Sequence, residues 1–137
     1  KMVRIKIVKN DVSTVAKIVI IDDKKRVLFL KRSEYVEKYA GDWDLPGGHL
    51  KKEESLIQGL KREVKEETNL DVEEPKFLLK MDNLNFFYVK YNSEKINLSH
   101  EHTDYRFFEQ YDLDPCEKFQ KVAIMSLKEV ENENFYS

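Results

Sequence analysis

The sequence predicts an α/β domain in which a sheet of mixed strands is covered by helices on both faces. Short β-branched and apolar runs make up much of the chain, and two longer segments place apolar residues at helical spacing. The strand runs are almost continuously apolar, which is typical of strands buried on both faces. Because such a sheet needs cover on each side, the two helices are expected to lie on opposite faces.

The composition favours one globular domain over residues 1–137. Hydrophobic residues make up 41% of the chain, which is enough for a real core at this length. The 24 basic and 26 acidic residues nearly cancel, to a net charge of -2. This balance argues against extended nucleic acid or a membrane as the main partner. A single cysteine and the lack of a long apolar run lead us to expect a cytoplasmic protein.

The N-terminal part predicts three strands. Residues 2–8 (MVRIKIV) alternate weakly between apolar and polar side chains. Residues 15–21 (VAKIVII) and 26–30 (RVLFL) are separated by the polar turn DDKK, so they are expected to form an antiparallel hairpin. A long loop over residues 31–54 follows, and it holds three of the four glycines.

The first helix is predicted to begin after Ser55. Gln58 lies three residues later, so the pair can form a capping box. Leu56, Leu60 and Val64 then form an apolar stripe at i, i+4 and i+8. Asn69 is expected at the helix end, because asparagine tolerates the left-handed conformation common there.

The C-terminal half predicts three more strands and a final helix. The strands cover residues 76–81 (KFLLKM), 85–91 (NFFYVKY) and 103–111 (TDYRFFEQY). The helix is expected to have Asp114 as its N-cap, Pro115 at its first position and Glu117 closing a capping box. The residues expected to face the core are Phe119, Val122, Ala123 and Leu127.

The stretch REVKEE, residues 62–67, crowds three carboxylates onto one sector of the first helix. Glu63 is followed at i+3 and i+4 by Glu66 and Glu67, and Arg62 is placed to pair with Glu66. A solvated helix face explains most such clusters, since exposed like-charge pairs cost only about 0.2–0.5 kcal/mol each. A divalent cation explains the cluster differently, because carboxylates are the ligands that Mg²⁺ prefers.

The spacing of the cluster relative to the preceding loop decides between these explanations. Pro46, Gly47 and Gly48 form a turn whose backbone can approach an ion or a phosphate closely. Gly48 opens the pattern G-x5-E-x7-R-E-U-x-E-E-x-G-U, in which U is apolar, and eight of its nine defined positions match here. The pattern resembles the Nudix box of the Nudix hydrolases. The one departure is Asn69, where the box has glycine.

The resemblance implies both a fold and a metal-dependent activity. The implied fold is the α/β/α sandwich around a mixed sheet, and the implied reaction is hydrolysis of a nucleoside diphosphate linked to another group, with Mg²⁺ or Mn²⁺. Matching positions make the metal ligands the side chains of Glu63, Glu66 and Glu67 and the carbonyl of Gly47. Arg62 would orient a glutamate, and Glu54 would either reach a second ion or brace the loop.

The base that activates the water is left open by the resemblance. Glu63 and Glu67 are the candidates on the box helix, and Glu101 is the candidate downstream. A solvated strand-edge glutamate is an equally good explanation of Glu101. The neighbouring His100 and His102 are expected to be surface residues rather than zinc ligands.

Three further residues are candidates for substrate contact: Arg32, Gly48 and His49. Each has an ordinary explanation, since Arg32 is a charged strand end, Gly48 belongs to a turn, and a histidine after a turn is more often merely exposed. We expect the chain to be a monomer or a homodimer. Its expected partner is a small nucleotide.

The substrate class is only weakly indicated. Asn85 occupies the place where many ADP-ribose enzymes have proline, and Tyr88 lies near a tyrosine common in dinucleoside polyphosphate enzymes. The compact, single-domain form resembles the family members that cleave nucleoside triphosphates, and this resemblance implies a nucleoside triphosphate as substrate. The alternatives are a dinucleoside polyphosphate, ADP-ribose or a nucleotide sugar, and a non-enzymatic regulatory domain that only binds a nucleotide.

Overall fold

A computed structural model describes residues 13–34 and 41–133, and the strand predicted at residues 2–8 lies outside them. Seven strands are present there: β1 (Val15–Ile21), β2 (Val27–Arg32), β3 (Trp43–Asp44), β4 (Gly47–His49), β5 (Lys76–Met81), β6 (Leu84–Lys90) and β7 (His102–Phe108). The helices are α1 (Leu56–Thr68) and α2 (Lys118–Glu131), and a short 3₁₀ helix (Gln110–Asp112) precedes α2.

The strands form one mixed sheet centred on β1. Five strands follow the order β3-β2-β1-β6-β5, with β4 also paired to β1 and β7 also paired to β2. Only β1 and β6 are parallel to each other, and the remaining pairs are antiparallel. The predicted β1–β2 hairpin is present, but it is registered only at Ile21 and Val27. Beyond that pair β4 takes the place beside β1, so the Pro-Gly-Gly turn is built against the central strand.

The core lies in two layers, one on each face of the sheet. Alternate residues of β1 enter opposite layers: Val19 and Ile21 pack on the α2 side, and Ile18 and Ile20 pack on the α1 side. All seven residues of β1 are buried, as the apolar run predicted. A mixed sheet between two helices confirms the predicted fold class.

The ends of α1 agree with the sequence, whereas the start of α2 does not. Ser55 and Gln58 form the predicted capping box, and Asn69 adopts the left-handed conformation with φ of 67°. The predicted N-cap Asp114 is wrong: its carboxylate accepts the N–H of Cys116 within a turn. Glu117, predicted to close a capping box, is itself the N-cap of α2 and accepts the N–H of Gln120.

The structure also differs from the sequence prediction at two other boundaries of secondary-structure elements. The long loop contains the short strands β3 and β4, because their backbones pair with β2 and β1 although their sequences are too short to show a strand pattern. The last predicted strand ends at Phe108, and residues 110–112 turn into the 3₁₀ helix instead. No helix in the described ranges combines the length and apolar character needed to span a membrane.

Candidate active site

The candidate site lies where the Pro-Gly-Gly turn, beside the central strand β1, meets one face of α1. Gly47 has φ of +123°, and a Cβ there would lie 2.1 Å from the carbonyl oxygen of Ala16, so only glycine fits. The N–H of Gly47 donates to Oε1 of Glu67 at 2.9 Å. A Cβ on Gly48 would lie 2.6 Å from Oε1 of Glu63. Both glycines therefore let box carboxylates approach the turn backbone.

Arg62 ties the acidic cluster together. Its Nη1 donates to Glu63 at 3.2 Å and to Glu66 at 3.1 Å, which includes the predicted pair with Glu66. Its Nη2 donates to the backbone carbonyl of His49 at 3.1 Å, which anchors the loop after the turn. One guanidinium thus offsets repulsion between carboxylates and fixes the loop relative to the helix.

Glu54 braces the loop in this structure. Its Oε2 accepts from Arg62 Nε at 2.7 Å, and its Oε1 accepts from Arg62 Nη2 at 3.0 Å and from the N–H of Lys51 at 2.6 Å. The Arg62 guanidinium, helped by the Lys51 N–H, lowers the pKa of Glu54 to about 2. Of the two roles predicted for Glu54, this geometry corresponds to the bracing role.

Burial distinguishes Glu67 from the other box carboxylates. It is 6% exposed, and burial raises its pKa to about 8, against opposition from the Lys17 ammonium and the Gly47 N–H. The pKa of Glu63 is also raised, first by burial and then by the charges of Glu66 and Glu101, while Arg62 opposes the shift. Without a cation, the site therefore resists carrying its full negative charge.

The donor atoms that these residues offer suit a hard divalent cation. Glu63, Glu66 and Glu67 offer carboxylate oxygens beside the backbone of a glycine turn, which is the donor type that Mg²⁺ and Mn²⁺ take. As the side chains stand, no three acidic, histidine or cysteine side chains within residues 13–34 and 41–133 converge on a point that could hold an ion. Instead, Arg62 bonds the carboxylates of Glu63 and Glu66, and the Gly47 N–H bonds that of Glu67.

A buried ion pair beneath the turn was missed by the sequence analysis. Lys17 of β1 is 8% exposed, and its Nζ lies 2.9 and 3.0 Å from the two carboxylate oxygens of Asp44. The signal was available: a lysine within a fully apolar strand is almost never buried without a partner. Asp44, the acidic residue of WDLPGG, was a candidate for that partner.

The remaining predicted residues lie around this centre. Glu101 is exposed, its carbonyl oxygen accepts the N–H of Ser33 at 2.8 Å, and its charge contributes to the raised pKa of Glu63. Arg32 Nη1 lies 3.4 Å from Asp44 Oδ2. His49 is exposed, and its Nδ1 lies 2.8 Å from the hydroxyl of Ser13.

One expectation about a nearby side chain is wrong. His102 is not a surface residue: it opens β7 at 4% exposure, and burial lowers its pKa. Neither of its ring nitrogens has a hydrogen-bond partner among the residues that the structure describes. Tyr88, the residue near the tyrosine position of dinucleoside polyphosphate enzymes, is buried in the core layer on the α2 side, and its hydroxyl donates to Glu133.

Solved structures share this architecture at low sequence identity. The MutT protein from Methanosarcina mazei Go1 is 24% identical with a TM-score of 0.66, over 88% of this chain and 96% of that one. A Caenorhabditis elegans Ap4A hydrolase is 21% identical with a TM-score of 0.72, over 89% and 100%. An ADP-ribose pyrophosphatase from Streptococcus suis 89-1591 is 20% identical with a TM-score of 0.69, over 91% and 96%. At these identities the similarity establishes the fold alone.

The family follows from the sequence as a whole. No curated protein matches the chain. The family model described as the NUDIX domain matches residues 12–136, which is nearly the entire chain and includes the box, the turn and both helices. The chain therefore belongs to the Nudix hydrolases, a family of pyrophosphohydrolase enzymes.

Proposed function

We propose that this protein is a Mg²⁺-dependent hydrolase that cleaves the diphosphate linkage of a nucleotide by attack of water at phosphorus. The observation that carries the proposal is the contact between the acidic face of α1 and the glycine turn. Glu67 accepts the Gly47 N–H, Glu63 packs against Gly48, and Arg62 bonds Glu63 and Glu66. All the acidic groups that the box requires are present and arranged around one turn.

The ligands proposed for the ion are Glu63, Glu66, Glu67 and the carbonyl of Gly47. When bound, Mg²⁺ or Mn²⁺ supplies charge neutralisation for the phosphates and lowers the pKa of the attacking water. Arg62 holds the helix face and the loop in register, which keeps these oxygens within reach of one another. A nucleotide, with its own phosphate oxygens, is the natural partner of such a site.

The proton of the attacking water is proposed to pass to Glu63, Glu67 or Glu101. Glu67 is the most buried of the three, and Glu101 is the most exposed. Single Glu→Gln variants separate the roles. Loss of a pure base lowers kcat while Mn²⁺ affinity is kept, whereas loss of a metal ligand lowers both.

The substrate proposed is a nucleoside triphosphate, with a dinucleoside polyphosphate, ADP-ribose or a nucleotide sugar as the alternatives. The burial of Tyr88 removes the one side chain that pointed to dinucleoside polyphosphates. The similar structures are named for different activities: one is an Ap4A hydrolase and another an ADP-ribose pyrophosphatase. Similarity of fold thus favours none of them.

A substrate panel tests the proposal directly. Nucleoside triphosphates, ADP-ribose, dinucleoside polyphosphates, nucleotide sugars and capped RNA are incubated with the protein and Mg²⁺ in ¹⁸O-labelled water. We expect Mg²⁺-dependent cleavage of at least one of them, abolished by EDTA, with ¹⁸O in a phosphate product. Binding without cleavage across the panel would contradict the proposal and favour a regulatory nucleotide-binding domain.

A further inference from the structure

Lys17 is a buried ammonium in a strand that is otherwise hydrophobic. The other six residues of β1 are aliphatic and buried, and Lys17 itself is 8% exposed. Burying an ammonium costs several kcal/mol unless its donors are satisfied. Because a valine here would avoid this cost, the ammonium of Lys17 is expected to have a specific role.

Nζ of Lys17 holds the segment that leads into the glycine turn. It donates to both carboxylate oxygens of Asp44, to the carbonyl of Leu45 at 3.1 Å and to the carbonyl of Gly47 at 3.4 Å. The carbonyl of Pro46, between these two, accepts the N–H of Ile18 at 2.9 Å. Two adjacent residues of β1 therefore bind the Asp44 carboxylate and the three carbonyls of residues 45–47.

These bonds fix both polar groups of Gly47. The residue pairs with Lys17 in the β1–β4 register, and the missing Cβ lets it lie against the Ala16 carbonyl. Its N–H reaches Glu67, and its carbonyl is shared with the ammonium. A shift of the Asp44–Gly47 segment would therefore move the carbonyl and, through the N–H, the Glu67 carboxylate together.

We propose that Lys17 is a positioning residue of the metal site, acting through the backbone of the Asp44–Gly47 segment. It presets where the Gly47 carbonyl and the Glu67 carboxylate stand before an ion binds. The inference rests on the proposed function, because it assigns a role toward the proposed metal ligands.

Direct binding of substrate by Lys17 does not fit the geometry. An ammonium has three N–H donors, and four oxygen atoms already lie within hydrogen-bond distance of this one. The side chain is 11% exposed, and its other neighbour is the ring of Phe119, 5.6 Å from Nζ to the centroid. No donor is left for a phosphate.

Mn²⁺ binding to the folded protein, followed by electron paramagnetic resonance, tests the proposal without relying on turnover. We expect Lys17→Met to weaken Mn²⁺ binding by about 10–100-fold, as is usual when a group supporting metal ligands is removed. The matched control is Arg26→Met. Arg26 donates to the buried Asp22 at 2.7 Å at the β1–β2 turn, away from the site. That variant should lose stability but keep Mn²⁺ affinity within about twofold of the parent.

A double variant separates positioning from stability. Lys17→Met alone leaves the Asp44 carboxylate buried without its ammonium and can fail to fold. Lys17→Met with Asp44→Leu removes both charges, and such replacements are often neutral or stabilising. We expect this protein to fold with Mn²⁺ binding still weakened, because the carbonyls of Leu45 and Gly47 have lost their donor.

The outcomes are distinct. Parent-like Mn²⁺ affinity in the folded double variant would overturn the role of Lys17 while leaving the metal site intact. A parent protein that binds no Mn²⁺ would overturn the metal site, and the role of Lys17 with it. Weakened binding in both Lys17 variants, with the Arg26 control unchanged, supports the proposal.

Discussion

At the scale of single residues, Arg62 does most to hold the acidic site together. It donates to three carboxylates, those of Glu54, Glu63 and Glu66, and to the carbonyl of His49. Only a planar guanidinium can donate in this many directions at once, since an ammonium has three donors at one point. The charge of lysine at this position would be the same, but the geometry would not.

Arg62→Lys is accordingly expected to lower kcat/KM by about 10–100-fold although the net charge is unchanged. The loss should appear mainly as a higher Mg²⁺ concentration for half-maximal rate, because the carboxylates lose their common support. Steady-state kinetics at varied Mg²⁺ measure this. Lys61→Arg, at the exposed neighbouring position, is the control and should behave as the parent protein does. Equal kinetics for the two variants would show that the guanidinium geometry is irrelevant.

Glu67 is expected to make the metal-free protein sensitive to pH. Burial raises its pKa from 4.5 to about 8 in the folded state. Between these two values the folded protein keeps a proton that the unfolded chain has released, so the free energy of unfolding falls as pH rises through the window. The Glu67→Gln protein has no carboxyl group at this position to titrate. Its free energy of unfolding should therefore fall less than that of the parent over the same pH range. Thermal unfolding in EDTA from pH 5 to 8.5 checks this; parallel curves for the two proteins would contradict it.

At the scale of elements, the site depends on the contact between the glycine turn and α1. The two glycines serve that contact differently. A Cβ on Gly47 would meet the fixed backbone of Ala16, whereas a Cβ on Gly48 would meet only the movable end of the Glu63 side chain. Identical substitutions at adjacent positions should therefore have different consequences.

Gly47→Ala is expected to cost about 3 kcal/mol of stability or more, because it adds a backbone clash to a strained φ of +123°. Gly48→Ala should cost no more than about 1 kcal/mol, since Glu63 can rotate away, but it should weaken Mn²⁺ binding. Urea unfolding and Mn²⁺ titration measure the two effects. A Gly48→Ala protein with parent Mn²⁺ affinity would argue that the position of Glu63 does not matter.

The end of α1 explains how asparagine can replace the glycine of the box at position 69. Asn69 has φ of 67° and ψ of 14°, and its N–H caps the carbonyl of Lys65 at 2.9 Å. Asn69→Gly should change stability by less than about 0.5 kcal/mol, while Asn69→Ala should lose about 1 kcal/mol, because alanine pays more for the left-handed conformation. Urea unfolding of the pair measures this, and equal stability of the two variants would contradict it.

At the scale of the whole molecule, the sequence predicted what periodicity and spacing encode. The buried strands, both ends of α1 and the fold class follow from patterns within short segments, and the box spacing predicted which glutamates share a face. Most of what it missed depends on contacts between distant segments. The pairing of β4 with β1, the ion pair of Lys17 with Asp44 and the burial of His102 all bring together residues far apart in the chain. The cap of α2 was missed because two acidic residues competed for it, and Asp114 is used by its own turn.

We place hydrolysis at the contact between the glycine turn and α1, and turnover of the Glu67→Gln protein tests this assignment most directly. Each protein is assayed at saturating Mg²⁺ on the best substrate of the panel, with Glu129→Gln on the exposed surface of α2 as the control. We predict that Glu67→Gln loses about 10²–10⁴-fold in kcat while remaining folded, and that Glu129→Gln matches the parent. A folded Glu67→Gln protein with parent turnover would contradict this assignment.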